Sequence, residues 1–156
     1  MIRHLKVEEI DRIMPLIAVV QAVHAKARPD HFKSYLDPQA VQEFFADWMA
    51  RANVAVLIAE NAAGLALGYL MLEAQSKDAT VFNPARHRGF VHHIAVLPAV
   101  QRQGIGSGLL EAGRAWFVAR GLAQWAVSYW LFNEPSAALI AKVGLVPAHV
   151  IAEAAL

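Results

Sequence analysis

The sequence predicts a single mixed α/β domain, and three observations carry that expectation. The chain has 156 residues, enough for one real core and too few for two. Apolar residues recur at helical spacing in some stretches and form compact β-prone runs in others. These segments run as strand, helices, a meander of strands, then helix and strand in alternation. No linker, repeat or low-complexity tract interrupts them, so residues 1–156 are expected to form one domain.

Each element has a local cause. Ile2 to Leu5 reads as a short opening strand. Ile10, Ile13, Ile17 and Val20 mark one helix face, and Pro15 inside the pattern makes that helix start late or bend. After a loop through Arg28, Pro29 and Asp30, a second helix opens at Asp37-Pro38 and runs to about Arg51; an N-cap followed by proline at N1 is a helix-start signal. Val54 to Glu60 and Leu65 to Gln75 form a hairpin about the turn Asn61 to Gly64, and Gly68 is a bulge candidate in the second arm. Ser76 to Gly89 is polar, contains Pro84 and is expected to be the longest loop. Phe90 to Leu97 is a strand ended by Pro98. Ile105, Leu109, Leu110, Ala112, Trp116 and Phe117 trace a helix to Arg120, with Gly121 as its C′ residue. Ala123 to Phe132 follows as a strand. Asn133 or Ser136 opens a last helix that ends at Gly144, and one or two strands are expected from Leu145 onward.

Composition excludes several functions. Apolar residues make up 57% and charged residues 17%, which implies a dense core or an apolar surface covered by a partner subunit, as in a homodimer. No apolar run approaches the roughly 18–20 residues that cross a bilayer, and Arg3, Lys6, Glu8 and Glu9 stand where a signal peptide needs apolar residues. A soluble, cytoplasmic protein without a membrane partner is expected. The absence of cysteine removes disulfides, thiolate zinc sites and acyl-cysteine intermediates. A net charge of +1 with scattered Lys and Arg argues against nucleic acid.

The densest signal is Gln101-Arg102-Gln103-Gly104-Ile105-Gly106-Ser107-Gly108, which lies between a strand and a helix. Unpaired amides at a helix start point outward, the macrodipole adds positive potential, and glycine lets an anion approach the backbone. A tight turn without a ligand is the plain alternative. A P-loop requires a lysine that is missing here. A dinucleotide fold requires these glycines in an early βαβ unit with an acid about 20 residues on, and neither condition is met.

The run Ile94-Ala95-Val96-Leu97-Pro98, with the Gln101 to Gly106 loop, resembles the Arg/Gln-x-x-Gly-x-Gly/Ala signature of GNAT (GCN5-related) N-acyltransferases. Asn133, Ala137, Leu139, Lys142, Val143 and Gly144-Leu145 are similar to that family's closing block, and Ile2-Arg3, Asp11 and His24 to Phe32 to its N-terminal arm. The resemblance implies a central, mostly antiparallel mixed sheet flanked by helices, with two strands splayed into a V that holds acetyl-CoA as co-substrate. It implies that the pyrophosphate lies on the amides of Gln103, Gly104, Ile105, Gly106 and Ser107, with Gln101 and Arg102 also binding the cofactor. It also implies that the backbone of Ile94, Ala95 and Val96 orients the pantetheine and acetyl group. Asn133, with Ser136 nearby, would bond the pantetheine, although Asn133 is equally well a plain helix cap.

Transfer from a thioester to an amine needs an uncharged amine, a polarised carbonyl and a managed thiolate. His92 falls where some relatives carry a base, and an imidazole with an ordinary pKa of about 6.5 suits that work; a core-bonded histidine is the alternative. Strand alternation puts His92 on one face with Ile94 and Val96, and His93 on the other. Glu73 is a second base candidate acting through water, or else a solvated carboxylate. His87, His92 and His93 do not suggest a metal, because adjacent strand histidines point apart. The tyrosine that protonates the thiolate in the family falls at Ile140 here, which leaves Tyr129, Ser136 or solvent as a substitute acid, or departure of CoA as a thiolate. The aromatic stretch Trp125, Tyr129, Trp130 and Phe132 fits a core and subunit interface or an acceptor-pocket wall. Three functions remain open at this point: an N-acetyltransferase acting on a small-molecule or peptide amine by direct attack, a CoA-binding module without catalysis, and a structural interaction protein.

Overall fold

Hydrophobic patterning sorts the chain into one sheet with helices on both faces. A computed structural model describes residues 1–154. β1 (Ile2–His4), β2 (Val54–Glu60), β3 (Ala66–Lys77), β4 (Arg86–Val96) and β5 (Trp125–Val127) form one sheet in that order. The first four strands run antiparallel to their neighbours, and β5 runs parallel to β4. The helices are α1 (Met14–Ala27), α2 (Pro38–Met49), α3 (Ile105–Val118) and α4 (Glu134–Lys142).

Side-chain alternation gives each face of the sheet its own core. Val56, Ile58, Tyr69 and Met71 face α1 and α2, where they meet Ile13, Leu16, Ile17 and Phe45. Leu57, Leu70, Leu72 and Val91 face α3, where they meet Leu109, Leu110, Trp116 and Phe117. Each fully buried aliphatic side chain contributes about 1.5–3 kcal/mol. Gly89 admits the Phe117 ring to this second core: a Cβ at residue 89 would lie 2.4 Å from the ring's Cγ.

Helix boundaries follow the local chemistry. A 3-10 turn spans Val7–Ile13, and α1 starts late, with Pro15 in its first turn, where a missing N–H costs nothing. Asp37 caps α2 by accepting from the Gln39 amide at 3.0 Å. Arg3 and Arg12 each bond both Glu9 and Glu60, which ties β1, the 3-10 turn and the end of β2 together.

Several expectations need correction. β4 begins at Arg86, so much of the expected Ser76 to Gly89 loop is strand. β5 ends at Val127 instead of Phe132, and no strand forms between Leu145 and Ala154. The irregularity near Gly68 lies one residue earlier: Ala59 pairs with Gly68 and Glu60 with Ala66, leaving Leu67 extra. Gly68 itself serves close approach, since a Cβ there would meet the Ala95 carbonyl at 2.7 Å.

Two features of β4 shape the site. Pairing with β3 shifts between Met71↔His93 and Leu72↔Val91, so His92 is the additional residue of a bulge. Pairing with β5 stops at Val91↔Val127, while β4 continues to Val96. From His92 to Val96 the strand therefore has a strand neighbour on one side only.

Candidate active site

The open edge of β4 presents backbone polar groups. The Leu97 amide donates to Leu67 C=O at 2.9 Å, and an antiparallel ladder alternates from there. Ala95, paired with Tyr69, turns its groups toward β3, whereas Ile94 and Val96 turn theirs outward. The Gln101 side chain folds back and donates to the Val96 carbonyl at 3.2 Å.

The glycine-rich loop continues from this edge. Gly104 precedes α3 with φ 87°, a left-handed conformation that disfavours a side chain, and no heavy atom lies within 4 Å of where its Cβ would be. Arg102 also has a positive φ, 62°. The Gly108 amide donates to Gly104 C=O at 2.9 Å, so the amides of Ile105, Gly106 and Ser107 have no helical acceptor. The result is an open cradle of donors at the positive end of α3, next to the unpaired edge of β4. Gln103 lies exposed in the same loop.

The bulge corrects the expected placement of His92. Tyr69, Met71 and Glu73 share the α1/α2 face, and His92 turns to that side with His93, away from Ile94 and Val96. His92 Nε2 lies 2.8 Å from Glu73 Oε2. The imidazole stands between two rings, Trp48 and Phe90, each with its centroid 4.7 Å away. Glu73 is only 14% exposed, so it is not the solvated strand-end carboxylate weighed from sequence. Burial pulls its carboxyl upward, but hydrogen bonds from Gln75 and His92 and the charges of His92 and Arg51 outweigh that and hold it below its ordinary value. An ionised Glu73 accepts from a proton on His92 Nε2, so in the neutral imidazole Nδ1 is the acceptor nitrogen.

Sequence reasoning missed the groups that complete this cluster. Tyr69 Oη hydrogen-bonds His93 Nδ1. Burial pushes the phenol up, and burial pushes His93 down to about 4, with the charges of His24 and His92 acting in the same direction. Both groups are therefore neutral near pH 7. Trp48 brings an indole N–H that is buried without an acceptor among the described residues. Tyr69 and Trp48 carried core-type signals alone, and only the strand register and the docking of α2 bring them to the histidines.

The remaining expected residues fall elsewhere. Asn133 caps α4 by accepting from the Ser136 amide at 3.2 Å, which is the plain capping role weighed for it. Tyr129 lies half-buried in the irregular segment after β5. Ile140 is 5% exposed and carries no proton donor. The aromatic stretch divides: Trp125 packs toward Phe117, whereas Trp130 and Phe132 join His24, His31 and Phe32 in a ring cluster beneath the α1–α2 loop. Among the described residues no group of three or more histidine or carboxylate side chains is arranged to hold a metal. No helix among them is long and apolar enough to cross a membrane.

The fold recurs in solved structures. A point mutant of the BH1408 protein from Bacillus halodurans is 19% identical, with a TM-score of 0.93 over 100% of this chain and 99% of that one. The aminoglycoside antibiotic 6'-N-acetyltransferase AAC(6')-Ih from Acinetobacter baumannii is 17% identical, with a TM-score of 0.76 over 100% and 97%. AAC(6')-Iy in complex with the bisubstrate analog CoA-S-monomethyl-acetylneamine is 17% identical, with a TM-score of 0.73 over 100% and 97%. At these identities the likeness is one of fold. No curated protein sequence matches the chain. The model of the acetyltransferase (GNAT) family matches residues 20–145, a segment that contains the bulged strand, the glycine-rich loop and α4. The chain belongs to the acetyltransferase (GNAT) family.

Proposed function

We propose that the chain works as a single domain that moves an acetyl group from acetyl-CoA to the amine of a small molecule. The observation that carries this reading is the 2.8 Å contact of His92 with Glu73 beside the open edge of β4. The amides of Ile105, Gly106 and Ser107 suit a pyrophosphate, and Gly104 leaves room for it. Gln101, Arg102 and Gln103 border that cradle. The outward backbone groups of Ile94 and Val96 suit the amide-bearing pantetheine arm, and the Nδ2 of Asn133, without an acceptor among the described residues, suits donation to it. When bound, acetyl-CoA supplies the activated acyl group.

His92 Nδ1 accepts the proton of the incoming amine, and Glu73 holds the ring in that tautomer and stabilises the imidazolium that forms. As the C–N bond forms, the C–S bond breaks and its electron pair leaves with sulfur. A thiolate is a weak enough base to depart unprotonated. Ile140 therefore slows the reaction without forbidding it.

A second reading, a CoA-binding module without turnover, rests on the aliphatic side chain at Ile140. The two readings share CoA binding. Acetyl-CoA should raise Tm, as a ligand selective for the native state does, and absence of a shift at millimolar acetyl-CoA sinks both. Release of CoA thiol on adding amines then separates them.

A further inference from the structure

We infer that the acceptor amine carries an anionic group, a carboxylate or a phosphoryl-type acid, at its far end. This rests on the acetyltransferase reading above and names the substrate class of that site. The two rings that flank His92 are each backed by a guanidinium: Arg51 lies 3.7 Å from the Trp48 centroid and Arg88 lies 5.1 Å from the Phe90 centroid. Cross-strand pairing of Glu73↔Phe90, Gln75↔Arg88 and Lys77↔Arg86 puts these side chains on the same face as His92. The face therefore carries Arg88, Arg86 and Lys77 outward from His92, with Arg51 just beyond the end of α2 and 3.6 Å from Glu73.

The charge balance is one-sided. Glu73 is the one carboxylate on 73–77 of β3 and 86–92 of β4. It is already engaged with His92 at 2.8 Å and lies 3.6 Å from Arg51 Nη1. Among the described residues Arg88 finds only a neutral acceptor, Gln75 Oε1, at 3.3 Å. Along these strand segments a polycationic acceptor would meet three cations, Arg88, Arg86 and Lys77, against one committed carboxylate, which Arg51 also approaches. An amine with an acid at its other end places its nitrogen by His92 Nδ1 and its charge between Arg51 and Arg88. The strip is distinct from the acetyl-CoA cradle, because Arg88 lies eight residues before Val96, roughly 26 Å along the strand at about 3.3 Å per residue.

The test uses the whole protein loaded with acetyl-CoA for turnover and with CoA for calorimetry. Probes are the ω-amino acids from glycine to 6-aminohexanoate, 3-aminopropylphosphonate, butylamine, spermidine and kanamycin. The expected result is binding and acetylation of an amino acid or the aminophosphonate, with kcat/KM at least about tenfold above butylamine and the polycations. The carboxylate and phosphonate arms tell the two acid sources apart. Arg88→Gln should shrink that preference about three- to tenfold, Arg88→Lys should restore part of it, and added salt should weaken it. Binding of the anionic amines without acetylation overturns the acetyltransferase reading and leaves this inference standing. No binding of any anionic amine, a preference for butylamine or the polycations, or an Arg88→Gln variant with unchanged preference overturns the inference.

Discussion

Glu73 Oε2 and His92 Nε2 lie 2.8 Å apart because β4 carries one residue more than β3 across the bulge. Without that additional residue, strict alternation would leave His92 or His93 on the α3 face. The bulge turns both toward α1 and α2, where Glu73 fixes one ring and Tyr69 the other. His92 Nδ1 has no hydrogen-bond partner among the described residues, while His93 is held neutral.

Replacing His92 with Gln removes the proton acceptor and keeps a side chain of similar reach. The expected loss in kcat is about 10²–10⁴-fold, with the rising limb of kcat/KM against pH flattened. Glu73→Gln should cost less, about tenfold or more, with KM for acetyl-CoA unchanged, because it disturbs the tautomer and not the cradle. Wild-type pH–rate profiles in both variants would leave the pair a purely structural role.

Acid should destabilise the fold in two windows. His93 is depressed to about 4 against an ordinary 6.5, so the unfolded chain binds more protons between those values and stability falls as pH drops from about 6.5 to 4. Glu9 and Glu60 are held below the ordinary range, chiefly by hydrogen bonds from Arg3. Their contribution is present above about pH 4.3 and is lost as pH falls further. Thermal melts across pH should show the upper window vanish in His93→Gln and the lower one shrink in Glu60→Gln.

Gly89→Ala is expected to destabilise by about 1–3 kcal/mol, because its Cβ would overlap the Phe117 ring against a filled core. At about 2–4 °C per kcal/mol for a chain of this size, Tm should fall by several degrees. An unchanged Tm would mean that Phe117 has room to retreat.

The position of Ile140 predicts slow turnover with no high-pH limb assignable to a tyrosine. Tyr129→Phe is the control, since Tyr129 is half-buried after β5 and bears the nearest phenol in sequence before α4. Retained activity is expected. Loss of turnover with intact CoA affinity would make Tyr129 the acid and overturn the account of an unassisted thiolate.

Legibility in the sequence tracked how local each cause is. The Asp37-Pro38 start of α2, the hairpin arm Val54–Glu60 and the turn at Gly104 follow from side chains acting on their own backbone, and sequence located them. The face of His92 depends on register against β3, which periodicity along one strand cannot reveal. Arg86 to Arg88 read as loop because the end of the β3–β4 hairpin is exposed or half-buried and its polar side chains carry no core signal, and Gly89 has no side chain to carry one. The strand expected from Leu145 onward does not form among the described residues, where Val146 and Val150 are exposed.

The central claim, acetyl transfer at the open edge of β4, is tested most directly by following CoA thiol release from acetyl-CoA with and without an acceptor amine, in the native protein and in Gly104→Val. In the native protein, release should depend on the amine, and the acetylated amine should appear in equal amount. Gly104→Val, which forces a β-branched residue into a left-handed turn and fills the cradle, should lose both release and acetyl-CoA binding. Native protein that binds acetyl-CoA yet releases no thiol with any amine would contradict the account, as would a Gly104→Val variant with native binding and turnover.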